Sequence, residues 1–462
     1  MSSDLSRRAF LKRASALSLA GSATPFVMNL AAMGEAAAAT ATDYKALVCV
    51  FLYGGNDYAN TLVPNDNTQY GIYQAQRPGL AYAQSALTAT ALTPSMALPN
   101  GAQYALAPEL AKLLPLFNAG NLAVLLNAGT LVQPTTKAQY QAHVSLPPKL
   151  LSHNDQQSYW QASSPEGAAS GWGGRIGDLL ESGNGTATLT CINVTGNAAF
   201  LTGQAAVQYS VTPAGPIALN ARNSLQGSAA AASLLQSLIS GGGTHEFEAA
   251  LGSIGARALD LYSQVSAALG QAPATTTVFP TAADPQSSLG AQLQLVAKLI
   301  SVSSQLGAKR QVFFVSTGRY DTHAGLVTLH PTLLTNLADA LRAFYDTTVE
   351  LNVASQVTTF TGSDFGRALT ANNDGTDHGW GSMHFVLGGA VRGGRYYGIN
   401  PTLANGGPDD IGQGRLIPTL SVDQYAATLA SWFGVSNSDL ATVVPNIGNY
   451  AGSALGTNVG FV

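Results

Sequence analysis

Charge is what this chain has least of. Only 10% of its 462 residues are Asp, Glu, Lys or Arg, against about 25% in an ordinary globular protein. No basic patch or run of like charge appears, which argues against nucleic acid as a partner. Past the N-terminus no stretch is a continuous apolar run of about 20 residues, so the mature chain is expected to have no stable membrane insertion. Cysteine is nearly absent. Cys49 and Cys191 lie in the strand-like runs "ALVCVFLYGG" and "TLTCINV". They read as small buried thiols, with a disulfide as the alternative in an oxidising compartment.

Hydrophobic residues, at 46%, suffice for a sizeable core. With so few charges the surface must be Ser, Thr, Asn, Gln, Gly and backbone, a composition suited to a secreted or cell-surface protein. The N-terminus agrees. "SRRAFLKRASALSLAGSATPFVMNLAAMGEAAAAT" pairs Arg7 with Arg8, continues weakly apolar and ends in the small-residue run Ala36 to Ala39. That is the pattern of a cleavable twin-arginine signal over residues 1–39. It implies the twin-arginine translocase as a partner during export and a periplasmic or secreted product. An uncleaved membrane anchor is the alternative.

Residues 40–462 are expected to form one α/β domain. Buried strands are predicted at Ala46–Tyr53, Leu122–Asn127, "ATLTCINV", Gln311–Gly318 and "SQVTTFTGS". Helical periodicity separates them, with a helical insertion expected around 228–305 and a C-terminal helix N-capped by Ser421. Apolar strands alternating with helices point to a mostly parallel sheet covered on both faces. Ligands gather at the carboxyl ends of such strands. "GGND", "STGRYDTH" and "TGSDFGR" each follow a predicted strand, and each delivers a carboxylate there.

The stretch "NDGTDHGWGSMHF" adds two aspartates, two histidines and three glycines. Together the candidates are Asp57, Asp321, His323, Asp364, Asp377 and His378, with His384 opening the apolar run after them. Mixed carboxylate and imidazole sets suit zinc, manganese or iron(II), whereas purely oxygen sets suit calcium or magnesium. Each has a plainer reading: Asp57 as a cap, Asp364 as a partner of Arg367, His384 as a buried strand histidine. "LLSHNDQQSYW" places Ser152 at a helix start, where it is either an N-cap or a nucleophile near an anion-binding helix terminus.

The twin-arginine start, "FLYGGNDYANTLVP", "LSHNDQQSYW", "GRYDTHAG", "TGSDFGR" and "GTDHGWGSMHFVLGGAVRGGRYYG" together resemble the exported bacterial domain-of-unknown-function 1501 family. That family is similar in fold to alkaline phosphatases and sulfatases. The resemblance implies an alkaline phosphatase-like α/β fold. It also implies a two-metal site at the strand ends, for which the mixed donor set points to zinc or manganese, and hydrolysis of phosphate or sulfate esters, small or polymeric. It assigns Asp57, Asp321, His323, Asp364 and His378 to metal and Ser152 to the nucleophile's place; in a hydrolase so built, Arg367 binds the oxyanion or pairs with a neighbouring acid. Three departures stand out. Phe365 follows Asp364 where the superfamily usually has histidine, the Asp321–His323 spacing is tight, and no sulfatase-type Cys or Ser followed by Pro and Arg occurs. One metal position is therefore missing or rebuilt, with Asp377, His153 and His384 as replacements. The alternative function is a non-catalytic secreted binding or surface-assembly protein with a degenerate site.

Overall fold

The computed structural model describes residues 43–462 except 197, 220–222, 243–244 and 282–287. The expected signal segment, residues 1–39, lies outside the described residues. Among these, no helix is long and apolar enough to cross a membrane.

The strands of the main sheet are β1 (Lys45–Leu52), β2 (Leu122–Gly129), β3 (Cys191–Asn193), β4 (Tyr209–Thr212), β5 (Gly215–Pro216), β6 (Arg310–Thr317) and β7 (Val357–Ser363). After a short hairpin, β8 (Arg367–Ala371) with β9 (Thr376–His378), come β10 (Ser382–Leu387), β11 (Tyr396–Tyr397) and β12 (Leu420–Ser421). The sheet runs β11-β2-β10-β7-β1-β6-β3-β4-β5, with β12 also on β2. The pairs β1–β6, β1–β7 and β3–β6 are parallel. β10 is antiparallel to both β2 and β7. The sheet is therefore mixed and mostly parallel, as the residue pattern implied, and the carboxyl ends of β1, β6, β7 and β2 share one edge.

Strand pleating sends alternate side chains to opposite faces. Val48, Val50 and Phe313 join one core cluster, and Leu47, Phe51 and Phe314 the other. The first face is covered by α5 (Leu289–Ser301) and α6 (Leu326–Glu350), the second by α1 (His153–Ala162), α2 (Trp172–Leu180) and α7 (Val422–Phe433). Between α2 and α5 in sequence stand α3 (Ala229–Ser240) and α4 (Glu246–Leu269). The helical stretch expected over 228–305 thus divides. α5 is a core helix with Leu293, Val296 and Leu299 buried, while α3 buries only Ala232. Ser421 caps α7 as expected, in a reciprocal capping box with Gln424.

Both cysteines are free and buried. Cys49 is level with Phe314 of β6, and Cys191 with Val312. They stand on strands separated by β6, about 10 Å across at the usual strand spacing, beyond the reach of a disulfide.

Candidate metal centre

Three loops and one helix start converge at the shared sheet edge. After β1 the chain turns at Gly54, whose φ is +113°. A Cβ there would collide with the backbone nitrogen of Asp321, so this position admits only glycine. Gly375 likewise faces the His323 carbonyl at a distance no side chain tolerates. These two glycines let the β1, β6 and β8–β9 loops touch.

Asp321 follows β6 and is the hub. Its Oδ1 accepts from Arg367 Nη1 at 2.8 Å and lies 3.2 Å from His323 Nε2 and 3.3 Å from His378 Nε2. Its Oδ2 is 3.5 Å from His153 Nε2. One ligand atom each from His153, Asp321 and His378 all lie within 4.8 Å of one another. His323 Nε2 is 2.8 Å from His378 Nε2.

The other ring nitrogens each face an acceptor. His153 Nδ1 is 2.6 Å from Asp364 Oδ2, and His378 Nδ1 donates to the Leu151 carbonyl at 2.8 Å. His323 Nδ1 is 3.4 Å from Asp377 Oδ1. Metal-binding histidines are oriented in this way, with the far nitrogen tied to a carboxylate or a carbonyl. Leu151 adopts φ +71°, a left-handed conformation that costs a non-glycine residue about 1–2 kcal/mol. Its carbonyl is one of the two acceptors that fix the histidine pair.

The protonation states follow from these contacts. A carbonyl only accepts, so His378 Nδ1 carries its hydrogen. Burial, helped by the charges of His153 and Arg367, lowers the basicity of His378. The Nε2 lone pair therefore faces the Asp321 carboxylate. Burial works to raise the Asp321 pKa, but the hydrogen bond and charge of Arg367 outweigh it and keep the group ionised. The Asp364 contact raises His153 against burial. The His378 Nε2 lone pair thus points at a carboxylate, and with His153 Nε2 and Asp321 it forms a donor set complementary to a cation. Nitrogen-rich with one oxygen ligand, it fits zinc or another borderline transition ion better than calcium or magnesium.

Asp364 is fully buried after β7. Its Oδ2 accepts from Gly54 N at 3.1 Å and Gln157 Nε2 at 2.8 Å as well as facing His153. Its Oδ1 is buried with no hydrogen-bond partner among the described residues. Asp364 thus orients a ligand-bearing ring rather than sharing the hub. Phe365, the departure from the superfamily pattern, is fully buried with its ring 4.9 Å from that of His153 and 4.7 Å from that of His378. It forms an apolar wall that holds both imidazoles.

Asp57 differs from expectation. It is fully buried, its Oδ1 pairs with Arg77 Nη1 at 2.8 Å and accepts from Asn60 N, and its Oδ2 accepts from Thr376 Oγ1. The plain reading, a cap, holds because Arg77 supplies the neutralising charge. Thr376 Oγ1 also accepts from Arg367 Nε at 3.0 Å, so Asp57 reaches the hub through two intermediaries.

Arg367 is consumed as well. Its guanidinium binds Asp321, the Gly54 carbonyl and the Thr376 carbonyl and hydroxyl. It positions Asp321, and its side chain is fully buried. His384 sits in the core on β10, its ring 4.7 Å from Trp160, and burial pushes its pKa down to about 3. It stays outside the cluster. Asp377 lies beside it, between His323 and Asn372. Ser152 makes no capping hydrogen bond at the start of α1; its hydroxyl donates to Asp155 Oδ2 at 2.9 Å. The first-turn amides of α1 are thus not capped by a side chain, next to His153.

Fold and site together define an α/β protein with a histidine–aspartate cluster at the carboxyl edge of a mixed sheet. The chain belongs to the family described as "Protein of unknown function (DUF1501)", matching it over residues 44–443. No curated protein matches it in sequence. Among solved structures it is similar to Ps i-CgsB in complex with k-i-k-neocarrahexaose, at 9% identity over 87% of this chain and 74% of that one, with a TM-score of 0.37. It is also similar to the PsFucS1 sulfatase from Pseudoalteromonas sp., at 10% identity over 88% and 71%, TM-score 0.35. At these values the likeness concerns the general arrangement of sheet and helices and does not reach activity.

Proposed function

We propose that this protein is an exported, metal-dependent hydrolase of phosphate or sulfate esters. The observation that carries the reading is the convergence of His153, His323 and His378 Nε2 atoms on Asp321, with their Nδ1 atoms facing Asp364, Asp377 and the Leu151 carbonyl. His153, Asp321 and His378 hold one divalent cation, with His323 beside them. When bound, such a cation supplies Lewis-acid polarisation of an ester oxygen.

The remaining roles fall to the chain itself. Arg367 keeps Asp321 ionised and aimed inward. Asp364 and Phe365 fix the His153 ring. The uncapped amides of α1 favour an anion at the helix start through their partial positive charge. Ser152, hydrogen-bonded to the carboxylate of Asp155, is the nucleophile candidate, with Asp155 as the group that takes its proton. The twin-arginine pattern of residues 1–39 supports export.

A non-catalytic binding role has one observation in its favour. Arg367, the buried cation at the hub, is bound to Asp321 and to the Gly54 and Thr376 carbonyls, and its side chain is fully buried away from an incoming oxyanion. The two readings separate in one assay. Purified protein is given an aryl phosphate and an aryl sulfate, before and after chelation and zinc or manganese return. The hydrolase reading expects turnover that chelation removes and metal restores. Metal-loaded protein inert toward both esters would leave the binding role.

A further inference from the structure

The helix α4 carries one apolar stripe along its whole length. Phe247, Leu251, Ile254, Ala258, Leu261, Val265 and Ala268 alternate in steps of four and three, the spacing of a coiled-coil seam. The second half of the stripe is packed in the body: Leu261, Val265 and Ala268 are buried. The first half is not. Phe247 is 81% exposed, Leu251 68% and Ile254 54%, and Ala258 is exposed too.

The neighbouring helix α3 does not cover it. α3 lies against the glycines of α4: a Cβ at Gly252 would strike Gly241, and one at Gly255 would strike Ile239. α3 itself, "AAAASLLQSLIS", has no charged residue, and Leu234 and Leu238 are 62% and 70% exposed on it. A helix without a charged face is normally covered. The five large side chains expose on the order of 600 Å² together, the upper end for the largest apolar patch of a monomer. That is most of the ~800 Å² each partner contributes to a stable complex.

We infer that this helix pair is a self-association surface, and that its occupant is the same helix pair of a second copy, packed antiparallel. The exposed spacing, four-three-four, reads the same in both directions, as a two-fold contact between identical helices requires. Pairing about a point between Gly252 and Ser253 sets Phe247 against the partner's Ala258 and Leu251 against the partner's Ile254. Each large side chain meets a smaller or equal one. The flanking positions set Glu248 beside the partner's Gly255 and Arg257 beside the partner's Ala250, so no like charges meet. Antiparallel pairing also puts the two bodies, entered at Leu261, at opposite ends, whereas a parallel pair would drive them together. A lipid surface fits less well. The charges of α4 are Glu246, Glu248, Arg257 and Asp260, without the basic flank that an interfacial helix uses.

The inference is independent of the metal centre. Sedimentation velocity of the exported chain, from about 1 to 100 µM, tests it with far-UV circular dichroism and metal content as folding controls. The expected species is a dimer of the 47.4 kDa chain less its signal, and Leu251→Glu with Ile254→Glu halves the mass while both controls hold. If that variant misfolds, Phe247→Cys with Ala258→Cys decides. The two positions lie about 16 Å apart along one helix, too far to pair within a chain, so oxidation yields a covalent dimer only from the antiparallel contact. A wild type monomeric throughout the range overturns the inference, as does a dimer that survives both glutamates. A monomer that floats with phosphatidylcholine vesicles overturns it in favour of a membrane.

Discussion

His378 Nε2 lies 2.8 Å from His323 Nε2 while its own Nδ1 donates to the Leu151 carbonyl. Two imidazole nitrogens approach this closely only when a proton or a cation reconciles their lone pairs. With both Nδ1 atoms facing acceptors, the Leu151 carbonyl and Asp377, both Nε2 lone pairs are left for a shared cation. His378→Ala is therefore expected to remove most of the bound metal and to leave the fold intact, as read by elemental analysis beside circular dichroism.

Asp364 acts through His153. Asp364→Asn keeps the side chain's shape but removes the charge behind the ring. A 10–100-fold loss of metal affinity is expected, typical for such a partner of a ligating histidine. Competition with a chelator of known affinity measures it. An unchanged affinity would mean that His153 is not a ligand.

Asp57 is expected to behave in the opposite way. Replacing it with Ala leaves the Arg77 guanidinium buried and unpaired, a loss of about 3–5 kcal/mol for a broken buried pair. Denaturant unfolding reads the loss. The protein that remains folded keeps its metal, since Asp57 reaches the hub only through Thr376 and Arg367.

A pH signature comes from the first turn of α7. Burial pushes the Asp423 carboxyl up to about 6, against a hydrogen bond from the Asn446 backbone N–H and the charge of Arg175. In the unfolded chain this group titrates near 3.8. Its penalty is thus absent below about pH 4, grows as pH rises and is complete above about pH 6. Asp423→Asn is expected to stabilise the protein at pH 7 by on the order of 3 kcal/mol. The gain should vanish near pH 3.5, as unfolding curves at both pH values would record.

Much of this centre could be read from the residues in order. β1 and β6 are built on apolar runs and β7 on a Val-Thr-Thr-Phe-Thr run of strand-favouring residues, so their ends, and the acids just past them, stood out. The glycines of "TDHGWG" marked the place where a backbone is held close. Asp57 was legible only as a residue after a strand, because Arg77, which neutralises it, comes twenty positions later, at the end of a separate helix over Asn67–Gln76. His153 was obscured by its helix start, where Ser152 drew the attention as a cap or nucleophile. A sign of its role was present: His153 and Gln157 are one turn apart and both reach Asp364. The Leu151 carbonyl and the reversed direction of β10 are properties of backbone path, which side-chain periodicity does not encode.

The most direct measurement is elemental analysis of the protein, purified without added metal or chelator. The account predicts about one zinc-like divalent ion per chain, greatly reduced by His153→Ala or His378→Ala and retained by Asp57→Asn. A wild-type protein that carries no metal and takes up none at micromolar zinc or manganese would contradict it.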